Sequence, residues 1–272
     1  MKLLPLTVLT ILASSLLLFS TMNAYAFNCE STQTGFWDLP TTWINCGPTG
    51  VPGDNDNVTI KNGHIVTIRT DILNVALVGL SLTVEPSAEL VIDGASGGKL
   101  RITAGTFTNF GKTTLAGVGG ATNGGQLRLG VTPGTNECGG TIDANGGSNT
   151  NTGGFIVDRA VFVNKGTINL NDGGGTNAGS LVILNVLNSQ VDNHGTINEM
   201  PGAGTNSGIV VVIPTLGIFN DNLANLCLLV AGSLIPIDTT MVLLGATQTT
   251  AAWMIPVIVS AIGIGIVLAR KF

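Results

Sequence analysis

Short runs of alternating apolar and polar residues recur along the middle of the chain, each directly after a glycine. The five glycines are Gly98, Gly125, Gly154, Gly179 and Gly208, at spacings of 27, 29, 25 and 29 residues. Alternation with a period of two is typical of β-strands that bury one face.

The residues predicted to face inward are Leu100, Leu127, Ile156, Leu181 and Val210. Their neighbours then face outward, and these include Arg101, Arg128, Phe155 and Val157. The outer face is thus expected to change from basic and polar to apolar toward the C-terminus.

Asparagines form a second series with nearly the same period. The motifs NFGKTTL, NECGGTI, NKGTINL and NHGTINE begin at Asn109, Asn136, Asn164 and Asn193, which are 27, 28 and 29 residues apart. Two independent series that share a period of about 27 residues indicate a repeating architecture. Asparagines at matching turn positions are expected to stack as a hydrogen-bonded ladder.

The repeat predicts an all-β fold, a single-stranded parallel β-helix of about six coils over residues 57–220. Each unit holds two or three short strands separated by turns rich in Gly, Asn and Thr, and no helical periodicity interrupts them. Stacked coils lie about 4.8 Å apart in such a solenoid. An antiparallel sandwich also has short strands but requires no fixed repeat, so the β-helix is favoured.

The N-terminal segment 1–26 is predicted to be a signal peptide. Lys2 is followed by an apolar run from Leu3 to Phe19, and Ala24-Tyr25-Ala26 has the small-x-small pattern of a cleavage site. The alternative is an uncleaved anchor helix.

The C-terminal segment 251–269 is predicted to be a transmembrane helix. Its first 18 residues carry no charge and would span about 27 Å, close to the roughly 30 Å hydrocarbon core of a bilayer. Trp253 lies where an interfacial ring is favoured, and Arg270 and Lys271 mark residues 270–272 as a cytoplasmic tail. The alternative is a buried core helix.

Residues 221–250 are predicted to be an apolar capping or stalk segment, because Asp238 disfavours a second span.

Composition limits the partners of this chain. Its 272 residues carry a net charge of −5 and have only 10% charged side chains. No cluster of Lys and Arg is present in the sequence, which argues against binding to nucleic acid.

Four cysteines in an exported chain indicate two disulfide bonds, and four cysteines allow three pairings. Cys29–Cys46 closes a short loop at the start of the body and is the preferred first bond. Cys138–Cys227 then follows by elimination.

Residues 35–68 resemble the start of the extracellular eight-glycine domain family and related β-helix surface proteins. The matching features are Trp37, Pro40 and Trp43, then Val-Pro-Gly-Asp, and two VTI strands around an Asn-Gly turn. The resemblance implies extracellular ligand binding, with glycans as candidates, and transfers no catalytic residue. Residues 27–56 are predicted to form a disulfide-containing cap. Trp37 and Trp43 either cover the first coil or offer an aromatic platform to a sugar.

The C-terminal tail also looks like those of surface proteins from ammonia-oxidising archaea, which implies a location only.

Candidate chemistry is sparse along the repeat. Asp143, Asp158, Asp172 and Asp192 form no paired motif of the kind expected for glycoside hydrolysis. Asp54 and Asp56 are candidate ligands of a calcium ion, the one cofactor considered. Asn57 begins the one glycosylation sequon, Asn-Val-Thr.

The sequence therefore predicts a single-pass cell-surface protein whose N-terminal body lies outside the membrane. Its expected role is structural, adhesive or glycan-binding without catalysis, with Trp37, Trp43, Arg101 and Arg128 as candidate ligand contacts. Its expected partners are the membrane and extracellular glycans or neighbouring surface proteins. The alternative is a polysaccharide lyase or glycoside hydrolase that acts along the β-helix face, and a pocket lined by two carboxylates would favour it.

Overall fold

A computed structural model describes residues 26–70, 77–117, 122–184, 189–212, 217–221, 227–230 and 233–236. These residues form strands, turns and one short 3-10 helix, η1 (Pro40–Thr42). The strands belong to three long sheets, named A, B and C, and to a separate two-stranded antiparallel hairpin of β23 (Cys227–Val230) and β24 (Ser233–Pro236).

The strands of each sheet come from successive passages of the chain. Sheet A contains β1 (Asn28–Ser31), β3 (Trp43–Ile44), β4 (Asn57–Ile60), β7 (Ser81–Val84), β10 (Thr106–Asn109), β13 (Gly134–Asn136), β16 (Val161–Asn164), β19 (Gln190–Asn193) and β22 (Ile218–Asn220). Sheet B contains β2 (Gly35–Phe36), β5 (Ile65–Ile68), β8 (Glu89–Asp93), β11 (Lys112–Ala116), β14 (Thr141–Asn145), β17 (Thr167–Asn171) and β20 (Thr196–Met200). Sheet C contains β6 (Leu77–Val78), β9 (Lys99–Thr103), β12 (Gln126–Gly130), β15 (Phe155–Asp158), β18 (Leu181–Ile183) and β21 (Val210–Val212).

The chain visits sheets A, B and C in turn and then repeats the circuit one layer further on. Every pairing in the three sheets is parallel except β1 with β3 at the N-terminal edge. Phe107 in β10 pairs with Gly134, and Gly134 pairs with Phe162, which gives coils of 27 and 28 residues. The fold is thus a parallel β-solenoid of about six turns, as the sequence predicts.

Apolar side chains fill the space between the three sheets, and alternation along each strand decides which ones. In sheet C the register joins Leu100, Leu127, Phe155, Leu181 and Val210 in one inward column. The prediction that Ile156 faces inward is wrong, since Ile156 is half-buried while Phe155 and Val157 are fully buried. The cause is the glycine pair at 153–154. Gly153, with φ +62°, occupies the corner position of Gly125 and Gly179, so the strand starts one residue out of step with the predicted register.

The outer column of sheet C runs from charged to apolar residues, as expected. It contains Arg101, Arg128, Ile156, Val182 and Val211.

The asparagine ladder is present at the corner between sheets A and B. Each side chain lies at the inward-facing last position of a sheet A strand and is buried. The Nδ2 atoms of Asn109, Asn136 and Asn164 donate to the Oδ1 of the next asparagine at 2.7–2.8 Å. Asn193 donates to Asp221 Oδ1 at 2.7 Å, so a chain of donors ends on an acceptor.

The segment 27–56 contributes to the sheets as well as covering their end. β1 pairs with β4 and β2 pairs with β5, both in parallel, so the first coil begins before residue 57. Both predicted disulfide bonds are confirmed. Cys29–Cys46 ties this segment together, and Cys138–Cys227 joins a solenoid corner to the hairpin β23–β24.

Among the described residues no helix is long and apolar enough to be a candidate membrane span. Most of the predicted signal peptide, most of 221–250, and the whole of 251–272 with Trp253, Arg270 and Lys271 lie outside the described residues.

Candidate functional site

The two tryptophans of the N-terminal segment lie in the core. Trp37 is 4% and Trp43 is 6% exposed, and their rings meet edge to face with centroids 5.2 Å apart. Trp43 Nε1 donates to the carbonyl oxygen of Trp37 at 2.9 Å. Because neither ring presents a free face, this arrangement favours the covering role over the sugar platform.

Arginines line up on the outer face of sheet C. Arg101 and Arg128 are direct partners in the register of β9 and β12. Arg128 donates through Nε and Nη2 to Asp158 Oδ2 at 3.1 and 2.5 Å, and Asp158 is only 2% exposed. Arg159 adds a third contact, with Nε 3.4 Å from Asp158 Oδ1. Asp158 therefore has the structural ion pairing expected of a buried carboxylate.

A shallow groove of about 530 Å³ crosses the outer face of sheet B. Glu89, Lys112 and Asp143 line it, one from each of three successive strands. Lys112 Nζ lies 3.3 Å from a carboxylate oxygen of each acid. Phe110, 38% exposed at the preceding corner, lines the same groove.

The same polar row continues along the solenoid as hydrogen-bonded rungs. Asn169 Nδ2 donates to Asp143 Oδ1 at 2.7 Å, and Asn198 Nδ2 donates to Asn169 Oδ1 at 2.8 Å. Thr114 Oγ1 donates to Glu89 Oε1 at 2.6 Å. The groove thus combines an apolar ring with fixed carboxylate, amide and ammonium groups.

The electrostatics of this groove keep its lysine charged. Partial burial lowers the pKa of Lys112, but the negative charges of Glu89 and Asp143 outweigh it and the net pKa lies above the ordinary value of 10.5. A lysine held protonated in this way is a hydrogen-bond donor rather than a general base.

Asp54 and Asp56 accept hydrogen bonds from the backbone of their own loop and of neighbouring segments. Asp56 is 3% exposed and accepts from the N–H groups of Phe27 and Gly53 at 2.9 and 2.8 Å. Asp54 Oδ1 accepts from the N–H of Val78 at 2.9 Å. Within the part of the chain that the structure describes, no three His, Cys, Asp or Glu side chains are grouped to hold a metal ion.

Asn57, the sequon asparagine, lies exposed on the outer side of β4. Its Nδ2 donates to Asn28 Oδ1 at 2.9 Å. The side chain is therefore on the solvent side of sheet A, where a glycan has room.

No protein-family model matches the chain, and no curated protein or solved structure matches it either.

The sequence indicates Arg101 and Arg128 as candidate ligand contacts but gives no sign of the groove on sheet B. Glu89, Lys112 and Asp143 are 23 and 31 residues apart, and no motif links them. Their common signal is an outward-facing position on an alternating strand of sheet B, and their proximity becomes visible only when the coils are aligned in the correct register.

Proposed function

We propose that this protein is a membrane-anchored cell-surface protein whose β-solenoid is a rigid rod that binds glycans. The observation that carries the proposal is the groove on sheet B, where Phe110 lies with Glu89, Lys112 and Asp143. An exposed aromatic ring packs well against the apolar face of a sugar, and carboxylate and ammonium groups bind hydroxyls. A concave surface with an apolar component and a few fixed polar groups is typical of small-ligand sites.

The rest of the proposal is supported by sequence patterns at the two ends of the chain. The apolar segments 1–26 and 251–269 support export and anchoring. The disulfide bonds Cys29–Cys46 and Cys138–Cys227 fit an oxidising compartment. A solenoid held outside a membrane presents a long surface with a repeated spacing, which suits binding to extended polymers.

Glycan binding by the full chain in mild detergent tests the proposal. A neutral oligosaccharide selected on a glycan array should bind the wild-type chain, and Phe110→Ala should weaken it about 3- to 10-fold. Val161→Ala is the matched control, because Val161 is 42% exposed on sheet A, away from the groove. Equal affinities of Phe110→Ala and Val161→Ala would show that the groove on sheet B does not bind the oligosaccharide.

One observation favours polysaccharide cleavage as a second candidate. Glu89 and Asp143 both lie 3.3 Å from Lys112 Nζ, so the two carboxylate oxygens are at most twice that distance apart. This upper bound is compatible with the shorter separations of glycosidase carboxylates, which start at about 5 Å. The ammonium group between them argues for binding, since each acid is already engaged.

An assay for new reducing ends separates the two candidates. Incubation of the wild-type chain with bound polysaccharides should release none, whereas release that Glu89→Gln abolishes and Glu85→Gln retains would establish catalysis. Glu85 is a suitable control because it pairs with Lys61 outside the groove.

A further inference from the structure

We propose that the outer face of sheet C is a second glycan site, which binds the carboxylate or sulfate groups of an acidic polysaccharide through Arg101 and Arg128. This inference rests on the proposed glycan-binding function but uses different residues on a different face.

Arg101 has no carboxylate partner among the described residues. The other three described arginines are ion-paired: Arg69 with Asp38, and Arg128 and Arg159 with Asp158. In a chain of net charge −5, an arginine without an acidic partner is unexpected. The carboxylate that a guanidinium normally binds is therefore left for a ligand to supply.

The strand register makes the unpaired charge of Arg101 more unfavourable in the protein without a ligand. Arg101 and Arg128 are directly opposite each other on neighbouring parallel strands, about 4.8 Å apart. Like charges directly opposite across strands repel. Asp158 balances Arg128 and leaves the charge of Arg101 uncompensated, so an anion placed between the two guanidinium groups relieves the repulsion.

Unsatisfied polar atoms concentrate on the same face. Among the described residues four buried side-chain atoms lack a hydrogen-bond partner, and two of them, Arg101 Nε and Thr103 Oγ1, belong to this face. A third, Asn177 Oδ1, lies at the corner that precedes β18. Native proteins leave few buried polar groups unpaired because each loses its hydration without compensation. The two atoms on β9 therefore indicate groups that a ligand at this face can bind.

The geometry around Gly130 shows how Arg101 is held. A Cβ built at Gly130 would be 3.4 Å from both Arg101 Nε and Thr103 Oγ1. The guanidinium therefore lies over a residue without a side chain, with Nε turned toward the sheet and unpartnered. Rotation of Arg101 toward an oxyanion would expose Nε and Nη2. These two groups could then form the two parallel hydrogen bonds that a guanidinium makes with carboxylate or sulfate.

A groove beside Arg128 argues for a polymer over a free ion. It has a volume of about 210 Å³ and is lined by Arg128, Ile156, Val182, Asn151 and Asn177, among others. Arg101 and Asn177 are three coils apart, which is roughly 14 Å at about 4.8 Å per coil. An oligosaccharide spans this distance, with its acidic group at the arginines and its hydroxyls at the asparagines.

Binding of acidic oligosaccharides to the full chain in mild detergent tests this inference. The probes are oligogalacturonate for carboxylate, dextran sulfate for sulfate esters, and dextran as the neutral control. We expect one or both acidic probes to bind and dextran to leave their binding unchanged. Arg101→Gln should weaken the acidic probe about tenfold or more, and higher salt should weaken it further in the wild type.

The matched control is Arg69→Gln, which makes the same change in charge at a position stacked over Phe36 on sheet B. Thr103→Val is a second, nearly isosteric variant and should weaken binding several-fold. Arg128 is left intact, because its removal would leave the buried carboxylate of Asp158 with only its longer contact to Arg159. Circular dichroism checks that each variant keeps the β-fold.

Two results would overturn the inference: equal loss in Arg101→Gln and Arg69→Gln, or acidic probes that bind no better than dextran. A failure here is distinguishable from a failure of the proposed function, because Phe110→Ala and the neutral oligosaccharide address the groove on sheet B alone.

Discussion

The buried asparagine ladder offers the sharpest test of how the coils are held together. Asn136 Oδ1 accepts from Asn109 Nδ2 at 2.8 Å. Asn136 Nδ2 donates to Asn164 Oδ1 at 2.8 Å and to the carbonyl oxygens of Thr167 and Gly140 at 3.1 and 3.2 Å. Two N–H groups share these three acceptors, so Asn136→Ala removes about three hydrogen bonds. At a net value of about 1 kcal/mol each, the expected loss of unfolding free energy is about 3 kcal/mol.

Thermal unfolding followed by circular dichroism measures this loss. For a body of this size about 3 kcal/mol corresponds to a fall in Tm of roughly 6 to 12 °C. The control is Asn169→Ala, which removes the same side chain from a ladder on the outer face of sheet B, where Asp143 and Asn198 are its partners. Water replaces the lost bonds there, so that variant should change stability by about 0.5 kcal/mol.

Equal effects of the two variants would refute the reasoning, because they would show that burial adds nothing to the value of the ladder. A fall in Tm for Asn136→Ala of less than about 3 °C, that is below about 1 kcal/mol, would also refute it.

Three further predictions concern the core, the crosslink and acid stability. Phe162→Ala empties a fully buried ring position in β16 and should cost about 3 to 5 kcal/mol, measured by urea unfolding. Replacing Cys138 and Cys227 together by serine opens a crosslink between residues 89 apart and should cost up to about 4 to 5 kcal/mol in the chain-entropy account; no change in the urea midpoint would contradict it. The hydrogen bond from Lys61 lowers the pKa of Glu85 below its ordinary 4.5. Its small, solvent-screened contribution to stability is therefore present above pH 4.5 and lost as the pH falls through the lowered pKa. Urea midpoints between pH 6 and 3 should show a weaker acid dependence in Glu85→Gln than in the wild type.

Periodicity in the sequence was sufficient to predict the solenoid because a repeated strand must meet its own copy one coil later. The asparagines 27 to 29 residues apart were recognisable for the same reason, since a buried amide at the same corner of every coil finds its partners in its own neighbours. The two disulfide pairs followed from counting cysteines and from the shortness of one loop.

Register was harder to predict, and one glycine decided it. The pair at 153–154 offers two candidates for the corner, and only the φ of +62° at Gly153 identifies which one turns the chain. A slip of one residue exchanges the two faces of a strand, which is why the sequence predicts Ile156 to face inward and Phe155 to face outward.

The candidate sites depended still more on the tertiary structure. Glu89, Lys112 and Asp143 occupy one groove because stacking places their strands side by side, and their distance along the chain carries no sign of it. Arg101 was visible in the sequence as an outward-facing residue, but the absence of a carboxylate partner among the described residues is a property of the assembled face. The sequence by itself therefore determined the repeat, the stacking asparagines and the cysteine pairs, because these depend on local patterns that recur. Only the folded solenoid decided which charges meet, because charge pairing depends on distances between coils that the order of residues does not contain.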